Sequence, residues 1–337
     1  MSTSTDEARA EDFHPRRWLR NGHLQTIFGN FLPRNNTSLP APTSELIDIS
    51  ADTKILCACH WQSGADANTH PTAIILHGLE GSSNSQYVGG NAAKLWAAGC
   101  NVVRMNMRNC GGTEALTPTL YHSGLSADLD AVMRHYIATR HLTWVTLIGY
   151  SMGGNIVLKL VGELGVNTPP QLRSAVGVSP AVDLGPSADA LHKLRNRLYE
   201  RRFVRNLLNR YARKIQLFPA LYDPARANNV HSVRDFDEKI TGPYSGFRDA
   251  DDYYTQSSAA RVVDRIAIPT LVLHAKDDPF VHLTPASNAK LHANPHVLLV
   301  EPDHGGHCAF LADPHLASSN DGYWAEHTLL RFILANP

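Results

Sequence analysis

The stretch that most constrains this chain is residues 143–159, TWVTLIGYSMGGNIVLK. The apolar run from Trp144 to Ile148, partly β-branched, predicts a strand. The chain then turns through Gly149-Tyr150-Ser151-Met152-Gly153 and continues in a helical pattern. Strand, G-x-S-x-G and helix in that order is the layout of a nucleophile elbow. The spacing has a physical reason. A serine at the tip of so sharp a turn adopts unusual dihedrals, which requires close neighbours without a Cβ. The helix after Ser151 aims its free N–H groups and positive dipole end at the same point. G-x-S-x-G alone is a common turn, and the flanking elements make it a candidate site.

The rest of the chain supplies the sheet such a turn needs. Residues 45–50 and 54–61 read as a hairpin turning at Ala51-Asp52. Residues 72–76 form a continuous β-branched run, the pattern of a strand buried on both faces. A helix is expected over 84–98 and a strand over 102–107. Leu125, Leu129, Val132, Met133 and Tyr136 mark a helix over 125–139. Strands follow at 172–178, 270–274 and 297–300, with a closing helix over 323–334. This alternation predicts an α/β fold with a mostly parallel, doubly wound sheet. Residues 1–12 are polar and acidic and are expected to be a disordered tail. Residues 13–43, aromatic and basic, read as an arm packed on the domain rather than a strand or long helix. Residues 44–337 form the α/β domain.

Between about 181 and 268 the alternation stops, predicting a helical cap over the sheet's carboxyl edge. It opens with a basic run expected to be helical over 190–214. Its possible apolar stripe is Leu191, Leu194, Leu198, Leu207, Leu208 and Tyr211. Lys and Arg are nine between His192 and Lys214, against one acid, Glu200. One reading is an anion or membrane-surface contact. The favoured reading is a solvated face pairing with the acidic stretch at 235–254.

A serine hydroxyl needs a base to take its proton, and the base needs an orienting acid. On this layout they follow in the order serine, acid, histidine. After strand 270–274 comes Ala275-Lys276-Asp277-Asp278-Pro279. Asp278 is preferred as the acid, three residues past Ala275, with Asp277 in reserve. After the last strand, Gly305-Gly306 precede His307, the expected base. His304 reads as a loop residue, and a metal cluster of His304, His307 and Cys308 is disfavoured for want of a distant fourth ligand. Two backbone N–H groups must meet the developing oxyanion. Met152 follows the nucleophile, and Leu79 lies in the loop His77-Gly78-Leu79-Glu80-Gly81 after an early strand. His77 precedes the serine and is expected to serve loop packing.

Composition excludes several classes. Formal net charge is zero among 337 residues, so no global field draws nucleic acid or anionic membranes. No apolar run reaches the roughly eighteen residues of a membrane span, and the N-terminus lacks a signal-peptide pattern. The five cysteines are odd in number and scattered, arguing against a disulfide framework. Cys57 and Cys59 should share one buried face of a strand. A soluble, cytoplasmic protein is expected.

With HGLEG, GYSMGG, AKDDP and GGH in order, the chain resembles the serine α/β-hydrolases from about residue 45 onward. More specific segments, WLRNGHLQT (18–26), HGLEGSS (77–83), VRDFDEKIT (233–241), GFRDADDYY (246–254) and GGHCAF (305–310), are similar to the YheT-like hydrolases. The resemblance implies hydrolysis of short- to medium-chain acyl esters or lipid esters, with no cofactor and no metal. Some relatives act on phospholipids and some make medium-chain ethyl esters. The N-terminal span of membrane-anchored relatives is not found in this sequence. The expected partner is a small ester or lipid, not nucleic acid, and the sequence leaves the oligomeric state open. Acyl transfer to an alcohol and non-catalytic ligand binding on the same fold are the alternatives.

Overall fold

A computed structural model of the chain describes residues 13–34, 38–64, 67–316 and 321–337. The tail expected over 1–12 lies outside them. Eight strands form one sheet: β1 (Thr43–Ser50), β2 (Thr53–His60), β3 (Thr72–Leu76), β4 (Asn101–Met105), β5 (Val145–Tyr150), β6 (Leu172–Val178), β7 (Thr270–Leu273) and β8 (Val297–Val300). Their order is β1-β2-β4-β3-β5-β6-β7-β8. The first hairpin joins β4 antiparallel, and every later pairing is parallel.

The continuous apolar strands are buried on both faces, as parallel strands covered by helices must be. Along β3, Ile74 and Leu76 face one core while Ala73 and Ile75 face the other. The first core is closed by α3 (Ser126–Arg140) and α4 (Met152–Leu164). The second is closed by α2 (Gln86–Ala97) and α11 (Trp324–Leu334). Cys57 and Cys59 share the first core, and the Cys59 thiol lies 3.1 Å from the Tyr136 hydroxyl.

From β3 the chain passes first to β4 on one side and then to β5 on the other. Ligands on open α/β sheets bind at such a switch point, outside the strands' carboxyl ends. Here those ends carry the His77–Gly81 loop and Ser151. The approach is very close. A Cβ on Gly153 would lie 2.4 Å from the His77 carbonyl oxygen, and one on Gly149 would lie 2.2 Å from that of Gly153.

Two sequence expectations need correcting, and the arm shows one element they did not specify. The arm contains a ten-residue helix, α1 (Gly22–Phe31), capped by the Asn21 side chain, which accepts from His23 and Leu24 N–H. The basic run is not one helix. After α5 (Leu184–Leu191) a 3₁₀ turn spans Leu194–Asn196, and α6 (Arg197–Leu217) starts in a new phase. Asn196 enforces the break, its Nδ2 donating to the carbonyls of Ala190 and Pro279. The expected apolar stripe splits as a result. Leu191, Leu207 and Tyr211 are buried, whereas Leu194 and Leu198 are 80% and 79% exposed.

The expected pairing of the basic run with the acidic stretch is also not made. Arg210 binds Glu80 and Glu114, Arg213 binds Glu114, and buried Lys214 donates to the Glu114 and Thr117 carbonyls. Within the acidic stretch, Asp251 and Asp252 instead take Arg234 and Arg248. That stretch folds as α7 (Val233–Phe236), a π-turn at Asp237–Thr241, α8 (Gly242–Tyr244) and α9 (Ala250–Ser257). After β7, α10 (Pro285–Ala293) leads into β8.

Gly153→Ala should lower the melting temperature markedly, since overpacking a rigid site costs about 1–3 kcal/mol. Gly185→Ala is the control, because its Cβ would meet nothing nearer than 3.7 Å. On a helix that change is neutral or favourable by up to about 1 kcal/mol. Calorimetry of the two variants measures the contrast.

Candidate active site

Ser151 sits between β5 and α4 with φ 53° and ψ −117°, a strained conformation for a residue with a Cβ. Its N–H donates to the Val178 carbonyl at 2.9 Å, tying the tip to β6. Its hydroxyl lies 2.9 Å from His307 Nε2. His307 Nδ1 lies 2.7 Å from Asp278 Oδ2. The other Asp278 oxygen accepts the N–H groups of Phe280 and Val281. The carboxylate is therefore buried, fixed and aimed at one imidazole nitrogen. Asp277 turns elsewhere: Oδ1 accepts Gly306 N–H at 2.8 Å, and Oδ2 lies 3.5 Å from His304. His304 and His307 thus face different carboxylates.

Electrostatics follow from this packing. Burial opposes charging His307, but the Asp278 carboxylate outweighs it and holds the imidazole well above the ordinary histidine range. Burial also raises the Asp278 carboxyl, yet His307 prevails and the net shift is downward.

Leu79 and Met152, the expected oxyanion donors, both line a cavity with Ser151. Met152 is the first residue of α4, so its N–H has no acceptor within the helix. Gly78 allows the loop to approach, its would-be Cβ falling 3.2 Å from that of Ser151. His77 is fully buried and donates from Nδ1 to the Gly78 carbonyl, while Nε2 accepts Met107 N–H. Burial pushes its pKa down to about 4, so it stays neutral and holds the loop.

The arm contributes what motif reading missed. Thr26 Oγ1 accepts His307 N–H at 2.8 Å and donates to the Gly22 carbonyl. Gln25 donates to the Leu19 and Leu311 carbonyls and accepts Leu311 N–H. Gly22 and Gly306 pack so closely that a Cβ on either would strike backbone, at 2.0 Å from the Asp277 carbonyl and 2.4 Å from the Gly22 carbonyl. The segment NGHLQT thus braces both loops carrying Asp278 and His307. The only signal for this in the sequence was that the segment is distinctive.

Two spaces meet at Ser151. One is an apolar chamber of about 120 Å³ beneath the insertion, walled by Leu184, Leu191, Phe203, Leu207, Phe236 and Tyr254 among others. The other is a groove of about 490 Å³ between α1 and α6 that reaches Ser151 and His307. Leu208, Phe218 and Leu221 of the same insertion border neither space. Arg210 also faces the chamber, but its guanidinium is paired with Glu80, beside Leu79.

Comparison with known proteins agrees with the fold. The family model for the alpha/beta hydrolase fold matches residues 71–314. A protein of Escherichia coli (strain K12) named "Putative esterase YheT" is 32% identical over 322 residues, 92% of this chain and 91% of that one. "Phospholipase ABHD3" of Bos taurus is 30% identical over 310 residues, 89% of this chain and 74% of that one. The solved Pyrococcus furiosus esterase Pf2001 is similar in fold, with a TM-score of 0.53 at 16% identity, covering 87% of this chain and 93% of that one.

Asp278→Asn should lower the His307 pKa, because burial then loses its largest opponent, the Asp278 carboxylate. In the parent protein the imidazole stays protonated until pH rises through its elevated pKa. Asp277→Asn should move it little. Imidazole proton–nitrogen NMR across pH reads all three states.

Proposed function

The chain belongs to the alpha/beta hydrolase fold family, within its YheT-like members, and from that premise we propose that it is a serine carboxylesterase. The observation that carries the proposal is the continuous Asp278–His307–Ser151 chain, with links of 2.7 and 2.9 Å, at the edge of an apolar chamber. With the imidazole in its neutral form, Ser151 Oγ attacks the ester carbonyl as His307 Nε2 takes its proton. Asp278 holds the ring and stabilises the imidazolium. The Leu79 and Met152 N–H groups receive the oxyanion. His307 then protonates the departing alcohol, and a water activated by the same nitrogen hydrolyses the acyl-enzyme.

The insertion serves as a cap that sets acyl preference and supplies no member of this triad. The apolar chamber suits an acyl chain, and the larger groove suits the alcohol portion. Short- to medium-chain esters or lipid esters are the substrate class, supported by relatives named as an esterase and a phospholipase. The cytoplasm is the proposed setting, in keeping with five unpaired thiols.

Ser151→Ala should abolish labelling by a fluorophosphonate and reduce ester turnover on the order of a millionfold. A purified variant that retains wild-type turnover would overturn the serine mechanism.

Phe203→Ala and Leu207→Trp should shift chain-length preference, since one methylene in an apolar pocket is worth about 1–3 kcal/mol. Values of kcat/KM across graded p-nitrophenyl esters measure the shift. An unchanged ranking in both folded variants would remove these side chains from acyl recognition.

A further inference from the structure

The exposed apolar side chains are unevenly placed. Among the described residues, twelve large hydrophobics are exposed, and six of them are Trp18, Leu24, Ile27, Phe31, Leu194 and Leu198. Scattered exposed leucines need no explanation, whereas a grouped set does. Leu24, Ile27 and Phe31 lie three and four residues apart, a single stripe on α1. Leu194 stands in the 3₁₀ turn before α6 and Leu198 in the first turn of α6, on either side of the break at Asn196. The two helices meet where the His23 ring stacks on Tyr199, with centroids 5.8 Å apart and planes 6° from parallel. Between them opens the groove to Ser151, with Ile27 and Phe31 on one wall and Tyr199 and Arg202 on the other.

The α6 side of this rim carries charge of one sign. Lys193, Arg195, Arg197, Arg201, Arg202 and Arg205 are exposed, and none makes an ion pair among the described residues. The acid in their midst, Glu200, is buried and taken by His192 and the Val233 N–H. A basic flank beside a ridge of leucine and aromatic side chains is the composition of a surface that lies in a membrane interface. A second copy of the chain fits poorly, because a two-fold contact through this face would set arginines against arginines.

We propose that the α1–α6 rim docks on an anionic lipid surface. The apolar ridge enters the headgroup boundary and the arginines meet lipid phosphates and carboxylates. Docked this way, the groove mouth faces the bilayer. A lipid ester then reaches Ser151 without crossing bulk water. The docking itself does not depend on the chemistry assigned to Ser151, while the delivery of substrate rests on the esterase reading.

The test uses full-length Ser151→Ala protein, which leaves the vesicles intact. Sedimentation with vesicles of phosphatidylserine and phosphatidylcholine in equal parts should capture it, and pure phosphatidylcholine should capture much less. Arg201→Gln with Arg205→Gln should weaken capture by about fivefold per charge removed at low salt. Leu194→Ser with Leu198→Ser should weaken it further at any salt. In the Ser151 background all four positions should leave turnover of a soluble p-nitrophenyl ester unchanged, since none lines the chamber or the groove. No capture by anionic vesicles, or equal capture of parent and variants, overturns the docking proposal. So does capture of an acidic peptide with the same variant sensitivity but no vesicle binding. Docking with no esterase activity in the Ser151 protein would overturn the esterase reading alone.

Discussion

The site depends on a close approach between the start of α4 and the ends of β3 and β5. Gly153 lies against the Leu76 and His77 carbonyls, and Gly149 against Gly153. Only with hydrogen in those places can α4 begin flush with the sheet. That contact forces Ser151 to φ 53° and pushes its hydroxyl clear of the backbone. The same contact draws in the loop after β3, where Gly78 meets Ser151 and neutral His77 pins the loop from beneath. Ser151 and the Leu79 loop are thus set by one steric fact rather than by two independent loops.

A second constraint holds the insertion to the base. Arg210 of α6 reaches Glu80 with Nε and Nη2 at 2.9 and 3.1 Å, and Tyr121 donates to the same carboxylate at 2.6 Å. Both charges are nearly buried. A buried pair of this kind contributes little net stability, but breaking it strands a charge in the interior. Its value here is registration. Glu80 follows Leu79 directly, so the position of the helix above the chamber is tied to the loop beside Ser151. The insertion and the Ser151 site therefore form one unit.

What could be read in the sequence follows from how local each determinant is. The central strands announced themselves because burial on both faces leaves a continuous apolar run. Ser151 was legible because a sharp turn needs glycines at fixed offsets. Asp278 stood out from Asp277 by its distance from the strand end, and the imidazole meets Asp278. Less local features were hidden. Helix α1 buries Gln25 and Gly29 while exposing Leu24, Ile27 and Phe31, so its hydrophobic pattern points the wrong way. The break before α6 depends on Asn196 reaching Pro279, eighty-three residues away. The partners of Arg210 and Arg213 likewise lie in another part of the chain, at Glu80 and Glu114. Composition favoured the nearer acidic stretch, because proximity in sequence was all it could weigh.

The arm has a consequence for how the protein is made. Residues 19–34 are bonded and packed against residues 277–326: Gly22 against Asp277, Thr26 with His307, Gln25 with Leu311, and Arg34 with Glu326. On the ribosome the arm emerges well before these partners. At about 5–20 residues per second the separation is on the order of tens of seconds. Throughout that interval α1 lacks its docking surface, and the strands between can pair before either end is settled. Closure of the arm therefore waits for residues 277–326, and a nascent chain acquires its complete His307 loop only once they have left the exit tunnel.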